Sequence, residues 1–183
     1  MADILGQEAK NYYSKENAKL YELSGAYRRI QESMTSDALS ISEFHPDSLI
    51  LDLGCGTGFS LNVLKKSGFN AIGIDVSFEM IKYAKAKMFK VILGNMNSLP
   101  FKNESFDNLI SISVIQWADI KEYPKILDEI KRVIRKGAVI QFYPKEKEEF
   151  EYFLKLAKKR FASLEVFMIG QGVKEKKYIK LKK

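Results

Sequence analysis

The nine residues from Ile50 to Gly58, Ile-Leu-Asp-Leu-Gly-Cys-Gly-Thr-Gly, constrain this chain more than any other stretch. An apolar strand pattern (Leu49 to Leu51, then Leu53) runs straight into glycines spaced G-x-G-x-G, and a helical pattern opens behind them. That is a strand, a tight turn and a helix N-terminus. Glycine tolerates positive φ and has no Cβ, so such a turn lets a ligand lie against bare backbone.

Two cofactor classes use this geometry, and they separate on electrostatics. A dinucleotide would set its pyrophosphate on the helix N-terminus and wants a further glycine at G-x-G-x-x-G, where this chain has Phe59. Asp52, two residues before Gly54, would repel a pyrophosphate but suits a ligand bearing an ammonium group, as S-adenosylmethionine does. The next strand pattern, Asn70 to Ile74, ends in Asp75, whose carboxylate can accept both hydroxyls of a ribose. Its separation from the loop, about twenty residues, is that of two consecutive parallel strands carrying the halves of a nucleoside site.

Leu-Asp-Leu-Gly-Cys-Gly-Thr-Gly followed by Gly73-Ile-Asp-Val-Ser77 resembles the first two motifs of the class I methyltransferases. The resemblance implies S-adenosylmethionine as cofactor. It also implies an α/β fold with about seven mostly parallel strands in the order 3-2-1-4-5-7-6 and helices on both faces. The cofactor-binding residues it points to are Asp52, Gly54, Cys55, Gly56, Gly58, Asp75, Val76, Asn95, Met96 and Ser111. Asn95 stands where related enzymes carry Asp for the adenine amino group, and its amide oxygen can still accept.

At 183 residues the chain has the size of one domain with a substantial core, and residues 1–45 are expected to form a helical lid on it. The lid pattern begins at residue 3, runs through Tyr12, Tyr13, Tyr21 and Tyr27, and reads as two helices broken at Phe44-His45-Pro46-Asp47. No apolar run is long enough for a transmembrane helix and the N-terminus lacks a signal-peptide pattern, so the expected location is cytoplasmic. One cysteine excludes an internal disulfide, and with a single histidine the chain has no ligand set for structural zinc. Cys55 reads as a small filler of the loop. A formal charge of +7, with six lysines among the last ten residues, points to an anionic partner, with those lysines touching phosphate.

The remaining pattern alternates. Helices are expected at Phe59–Lys66, closed by Ser67-Gly68, from the N-cap Ser77 to about Lys87, at about 121–134 and at 146–161. Strands are expected at Val91–Leu93, Phe106–Ile112, Ala138–Tyr143, Leu164–Ile169 and Lys177–Leu181. Such β-α alternation with short connections argues for a parallel sheet whose ligand crevice lies at the carboxyl ends of the strands.

Ser111-Ile-Ser-Val-Ile-Gln-Trp117 and Gln141-Phe-Tyr-Pro-Lys145 carry a closer resemblance, supported by Ile30-Gln31, Met34-Thr35 and Pro100-Phe101. Together they resemble the small-subunit ribosomal RNA guanine-N7 methyltransferases, the bud-site-selection or Williams-Beuren-region family. What this implies is methyl transfer to guanine N7 of ribosomal RNA, with Gln116, Trp117 and Tyr143 positioning the substrate and no general base. It further implies a small zinc-binding activator protein that adds a strand at the edge formed by residues 89–93. Two alternatives stay open: a small-molecule methyltransferase of the quinone or biotin-precursor type, and a ribosome-assembly factor whose RNA binding matters more than catalysis.

Overall fold

The computed structural model describes residues 9–170, Gly172 and 175–183; the helical pattern over residues 3–8 lies outside them. Seven strands form one sheet: β1 (Leu49–Leu53), β2 (Asn70–Asp75), β3 (Val91–Leu93), β4 (Phe106–Ile112), β5 (Ile134–Gln141), β6 (Ser163–Ile169) and β7 (Lys176–Lys182). Their order is β3-β2-β1-β4-β5-β7-β6, as the family resemblance implies. The first five are parallel, and β7 enters antiparallel between β5 and β6.

Alternation along β1 explains the two cores. Ile50 points to the face covered by α3 (Gly25–Ile41) and α4 (Phe59–Lys66), where it meets Met34, Ala38, Leu61 and Leu64. Leu51 and Leu53 point to the opposite face, covered by α6 (Tyr123–Val133) and α7 (Lys147–Lys158), with Ile126, Leu127, Ile130 and Phe153. The polar residues of β4 fasten it to β1. Asp107 accepts from the backbone N–H of Leu49 at 2.9 Å, Asn108 donates to Ser48 Oγ at 3.2 Å, and Ser111 donates to the Leu53 carbonyl at 3.1 Å.

Three expectations need correction. Among the described residues the N-terminal region holds three helices, α1 (Ala9–Tyr12), α2 (Lys15–Leu23) and α3, because Ser14 and Ser24 each cap a new start by accepting from Asn17 N and Tyr27 N. β5 runs Ile134–Gln141, starting directly after α6 and before the expected Ala138, so Gly137 lies inside it. A Cβ on Gly137 would stand 2.5 Å from the Leu181 carbonyl oxygen, so glycine is what lets β7 approach.

The third concerns the C-terminal lysines, which pair within the fold. Lys180 lies 2.9 Å from Glu43 and 3.1 Å from Glu165, Lys182 is 2.8 Å from Glu43, and Lys183 is 2.8 Å from Glu104. Lys182 and Lys180 hold the Glu43 carboxyl down at a pKa of about 2. Lys180, Lys182 and Lys183, three of the six lysines expected to touch phosphate, thus also have carboxylate partners within the fold. α5 (Phe78–Ala86) follows β2, capped by Ser77 as expected. Among the described residues, no helix is long and apolar enough to cross a membrane.

Candidate active site

The carboxyl ends of β1, β2 and β4 open into a cleft of about 1200 Å³, walled on its far side by the N-terminal helices. That exceeds the space one drug-sized ligand occupies, so a cofactor and part of a substrate fit together. The floor is the turn after β1. Gly54, Gly56 and Gly58 all hold positive φ, at 76°, 53° and 90°. The N–H groups of Gly54 and Cys55 both donate to the Ile74 carbonyl, at 2.8 and 3.0 Å, which locks the loop onto β2.

Asp75 ends β2 in that cleft. One carboxylate oxygen accepts the Gly56 N–H and the other the Ser77 N–H, each at 2.8 Å. Burial pushes its pKa up, while these backbone donors pull it down. Each oxygen keeps a further lone pair, so the pair can still accept two hydroxyls. The residues present thus fit a ribose held over the loop.

Ten of the anticipated site residues line the cleft: Gly54, Cys55, Gly56, Asp75, Val76, Asn95, Met96, Gln116, Trp117 and Tyr143. Cys55 does so although its own thiol is buried, packed against Gly73 and pushed well above its ordinary pKa by burial. Asn95 is exposed, and its amide oxygen already accepts from Asn97 N at 2.8 Å, leaving one lone pair.

Asp52, Gly58 and Ser111 lie outside the lining. Period-two alternation puts Asp52 on the α4 face with Ile50, where its carboxylate accepts the Ser60 hydroxyl. Gly58 caps α4, and its Cα faces the Phe89 ring. Ser111 is spent on β1. These three shape the loop from beneath.

Burial pushes the Asp52 carboxyl up to about 7 against the Ser60 hydrogen bond, with the charge of Asp75 adding to the rise. From about pH 4 to pH 7 the fold therefore keeps a proton that the unfolded chain has lost, and this contribution to stability fades as pH rises through that window. Asp52→Asn should abolish the fade, a swing of roughly 4 kcal/mol at most for three pKa units. Melting wild type and variant at several pH values checks it; a stability difference constant with pH would refute it.

The aromatic wall joins rings from the N-terminal helices to Trp117 and Phe59. Trp117, in a 3₁₀ turn after β4 (Ile115–Trp117), lies 5.3 Å from the Tyr12 ring and 5.5 Å from the Tyr13 ring. Tyr21 stacks on Phe59 at 5.5 Å. Between those helices and the loop runs a second tie, in which Lys87 lies 2.7 Å from Glu22 and 3.0 Å from the Thr57 carbonyl. Tyr143 sends its hydroxyl to Met34 Sδ at 3.3 Å. Gln31, Met34 and Ser113 also line the cleft. For Gln31 and Met34 the available signal was their helical spacing with Tyr27, and for Ser113 its place after β4.

A profile of the methyltransferase domain matches residues 51–142, half of the chain and the whole span from β1 to the end of β5. The chain belongs to the methyltransferase domain family. The cofactor of this fold is S-adenosylmethionine, and its demethylated product SAH is bound in the magnesium protoporphyrin IX methyltransferase of Synechocystis. That structure superposes with a TM-score of 0.74 at 13% identity, over 94% of this chain and 97% of the other. Among curated relatives, the 18S rRNA (guanine(1575)-N(7))-methyltransferase of Saccharomyces cerevisiae is 33% identical over 80% of this methyltransferase and 59% of its own length. The malonyl-[acyl-carrier protein] O-methyltransferase of Pectobacterium atrosepticum is 30% identical over 73% of this chain and 54% of its own. The chain thus spans little more than half the length of the curated relatives it matches.

Proposed function

We propose that this methyltransferase carries the methyl group of S-adenosylmethionine to N7 of a guanine in small-subunit ribosomal RNA. One observation carries the reading: among the described residues the cleft is lined by aromatic rings and by Asp75 and Glu122, with no lysine, arginine or histidine. A carboxylate substrate such as a malonyl group would find no countercharge there. A neutral base would, once methylated, be a cation beside aromatic faces and carboxylates, which stabilise it.

The bound cofactor supplies a methyl group on a positively charged sulfur. Asp75 holds the ribose, the backbone from Gly54 to Gly56 carries the amino-acid portion, and Val76, Met96 and Asn95 flank the adenine. Most methyl acceptors with O–H or S–H need a base, and none is ready here. Burial raises the Tyr13, Tyr21 and Tyr143 hydroxyls and the Cys55 thiol, Asp75 is committed to the backbone, and Glu122 to Asn97 and Asp119. Guanine N7 has a free lone pair and no proton to lose. Alignment is then the main task, which falls to Gln116, Trp117 and Tyr143.

A second reading, an acceptor of the quinone or biotin-precursor type carried on an apolar arm, is favoured by the exposed Leu20, Tyr27, Ile30, Phe78 and Leu93 that line the same cleft. Labelled S-adenosylmethionine should be incubated with the protein and, in parallel, small ribosomal subunits and a malonyl-loaded acyl carrier protein. Label recovered as 7-methylguanosine supports the first reading. Label in the acyl carrier favours the second, and tight RNA binding without label would favour an assembly role.

The β3 edge is the proposed seat of an activator that adds a strand. Ile92 and Leu93 are 37% and 52% exposed, whereas the Phe89 ring turns inward onto Gly58 and contributes nothing to the edge. Ile92→Pro removes a backbone donor and should abolish co-purification of such a partner with cofactor binding intact. A monomer fully active alone would end this part of the proposal.

A further inference from the structure

Ser113, just past the end of β4, sits in the left-handed region at φ 60°, which residues with a Cβ rarely adopt. Its backbone N–H donates to the Gln141 carbonyl at 2.8 Å and to Gln141 Oε1 at 3.1 Å, and its hydroxyl donates to the same Oε1 at 3.0 Å. Gln141, the last residue of β5, is wholly buried, and its Nε2 has no partner among the described residues. The cleft lining includes Ser113 and not Gln141.

The chemistry of these groups settles which way each points. A backbone N–H can only donate, so the amide oxygen of Gln141, not its nitrogen, must face Ser113. The Ser113 hydroxyl proton is then drawn into the wall towards that oxygen; the other nearby acceptor, Met34 Sδ, is weak and 3.9 Å away. What the Ser113 oxygen shows the cleft is lone pairs. An apolar residue in place of Gln141 would spare the cost of an orphaned buried amide, but the hydroxyl would then turn freely and could donate as readily as accept.

We propose that Ser113 Oγ accepts an N–H of the methyl-acceptor base, and that Gln141 is the positioning residue that keeps this oxygen an acceptor. The inference rests on the guanine reading above and deepens it. Across the ring from N7, guanine presents N–H donors at N1 and at its 2-amino group, whereas adenine presents a lone pair at N1. A fixed acceptor therefore selects guanine and repels adenine, a discrimination that needs no charged side chain.

Trp117 is the single tryptophan of the chain and lines the same cleft, so its emission reports occupancy. SAH-saturated protein is titrated with GMP and with AMP. Wild type should prefer GMP. Ser113→Gly, which relieves the left-handed backbone, and Gln141→Met, which removes the orphaned amide, should each cut that preference about tenfold, the scale of one hydrogen bond. Affinity for SAH should not change, the melting temperature should hold or rise, and the double variant should lose no more than Ser113→Gly alone. A GMP preference that survives in both variants overturns the proposal while leaving the RNA reading in place. Loss in Ser113→Gly alone removes Gln141 from it. If neither nucleotide quenches wild-type emission although small subunits acquire 7-methylguanosine, this inference falls and the guanine reading stands; if no 7-methylguanosine forms either, both fall.

Discussion

Asp75→Ala is expected to weaken S-adenosylmethionine binding by at least about a hundredfold. Two ribose hydroxyls lose a charged acceptor, and a hydrogen bond to a charged group contributes about 1.5 to 3 kcal/mol. The structure adds a less obvious expectation for Asp75→Asn. Because each carboxylate oxygen accepts a backbone N–H, from Gly56 and from Ser77, an amide must press its own NH₂ against one of them. The near-isosteric replacement should therefore do almost as badly as alanine. Calorimetric titration with S-adenosylmethionine, with melting curves to check folding, measures both. An unchanged affinity in either variant would take Asp75 out of the site.

The second large effect is on the loop itself. A Cβ on Gly54 would lie 2.2 Å from Val114 Cγ2, and φ there is 76°. Gly54→Ala combines overpacking, about 1 to 3 kcal/mol, with left-handed strain of about 1 to 2 kcal/mol. For a chain of this length that lowers the melting temperature by roughly 10 °C. Trimming the obstacle in Gly54→Ala/Val114→Ala should recover part of the loss, since the two side chains share one space. If the double variant melts no higher than Gly54→Ala, the clash is not the cause.

The strands could be read from the sequence because apolar runs, glycine turns and serine caps are local signals, and Gly54, Gly56 and Asp75 form one local constellation; the order of the strands came from the family resemblance, since no local signal carries it. What escaped depends on direction or distance. Asp52 belongs to the motif, yet the alternation of β1 turns it under α4, a fact already implicit in Ile50 and Leu51 facing opposite cores. Gly137 falls before the expected strand start at Ala138, because the strand that needs its bare Cα lies more than forty residues later. The lysines resembled a phosphate surface because their acidic partners, Glu43 and Glu104, stand 137 and 79 positions away from Lys180 and Lys183 in sequence.

The placement of β7 bears on how the molecule is assembled. It is made last of the seven strands, yet it fills the gap between β5 and β6, so β6 has no neighbour until residues 176–182 exist. The same strand holds the early helices: the Tyr178 hydroxyl donates to Asp37 of α3 at 2.8 Å, and Lys180 and Lys182 reach Glu43 just beyond it. During synthesis the first five strands can pair as they emerge, while β6 waits with its backbone groups unpaired and α3 lacks its anchor. The closing segment completes the sheet and secures the wall of the cleft in one event, so an aborted or clipped chain would lose the shape of the binding site along with the edge of the fold.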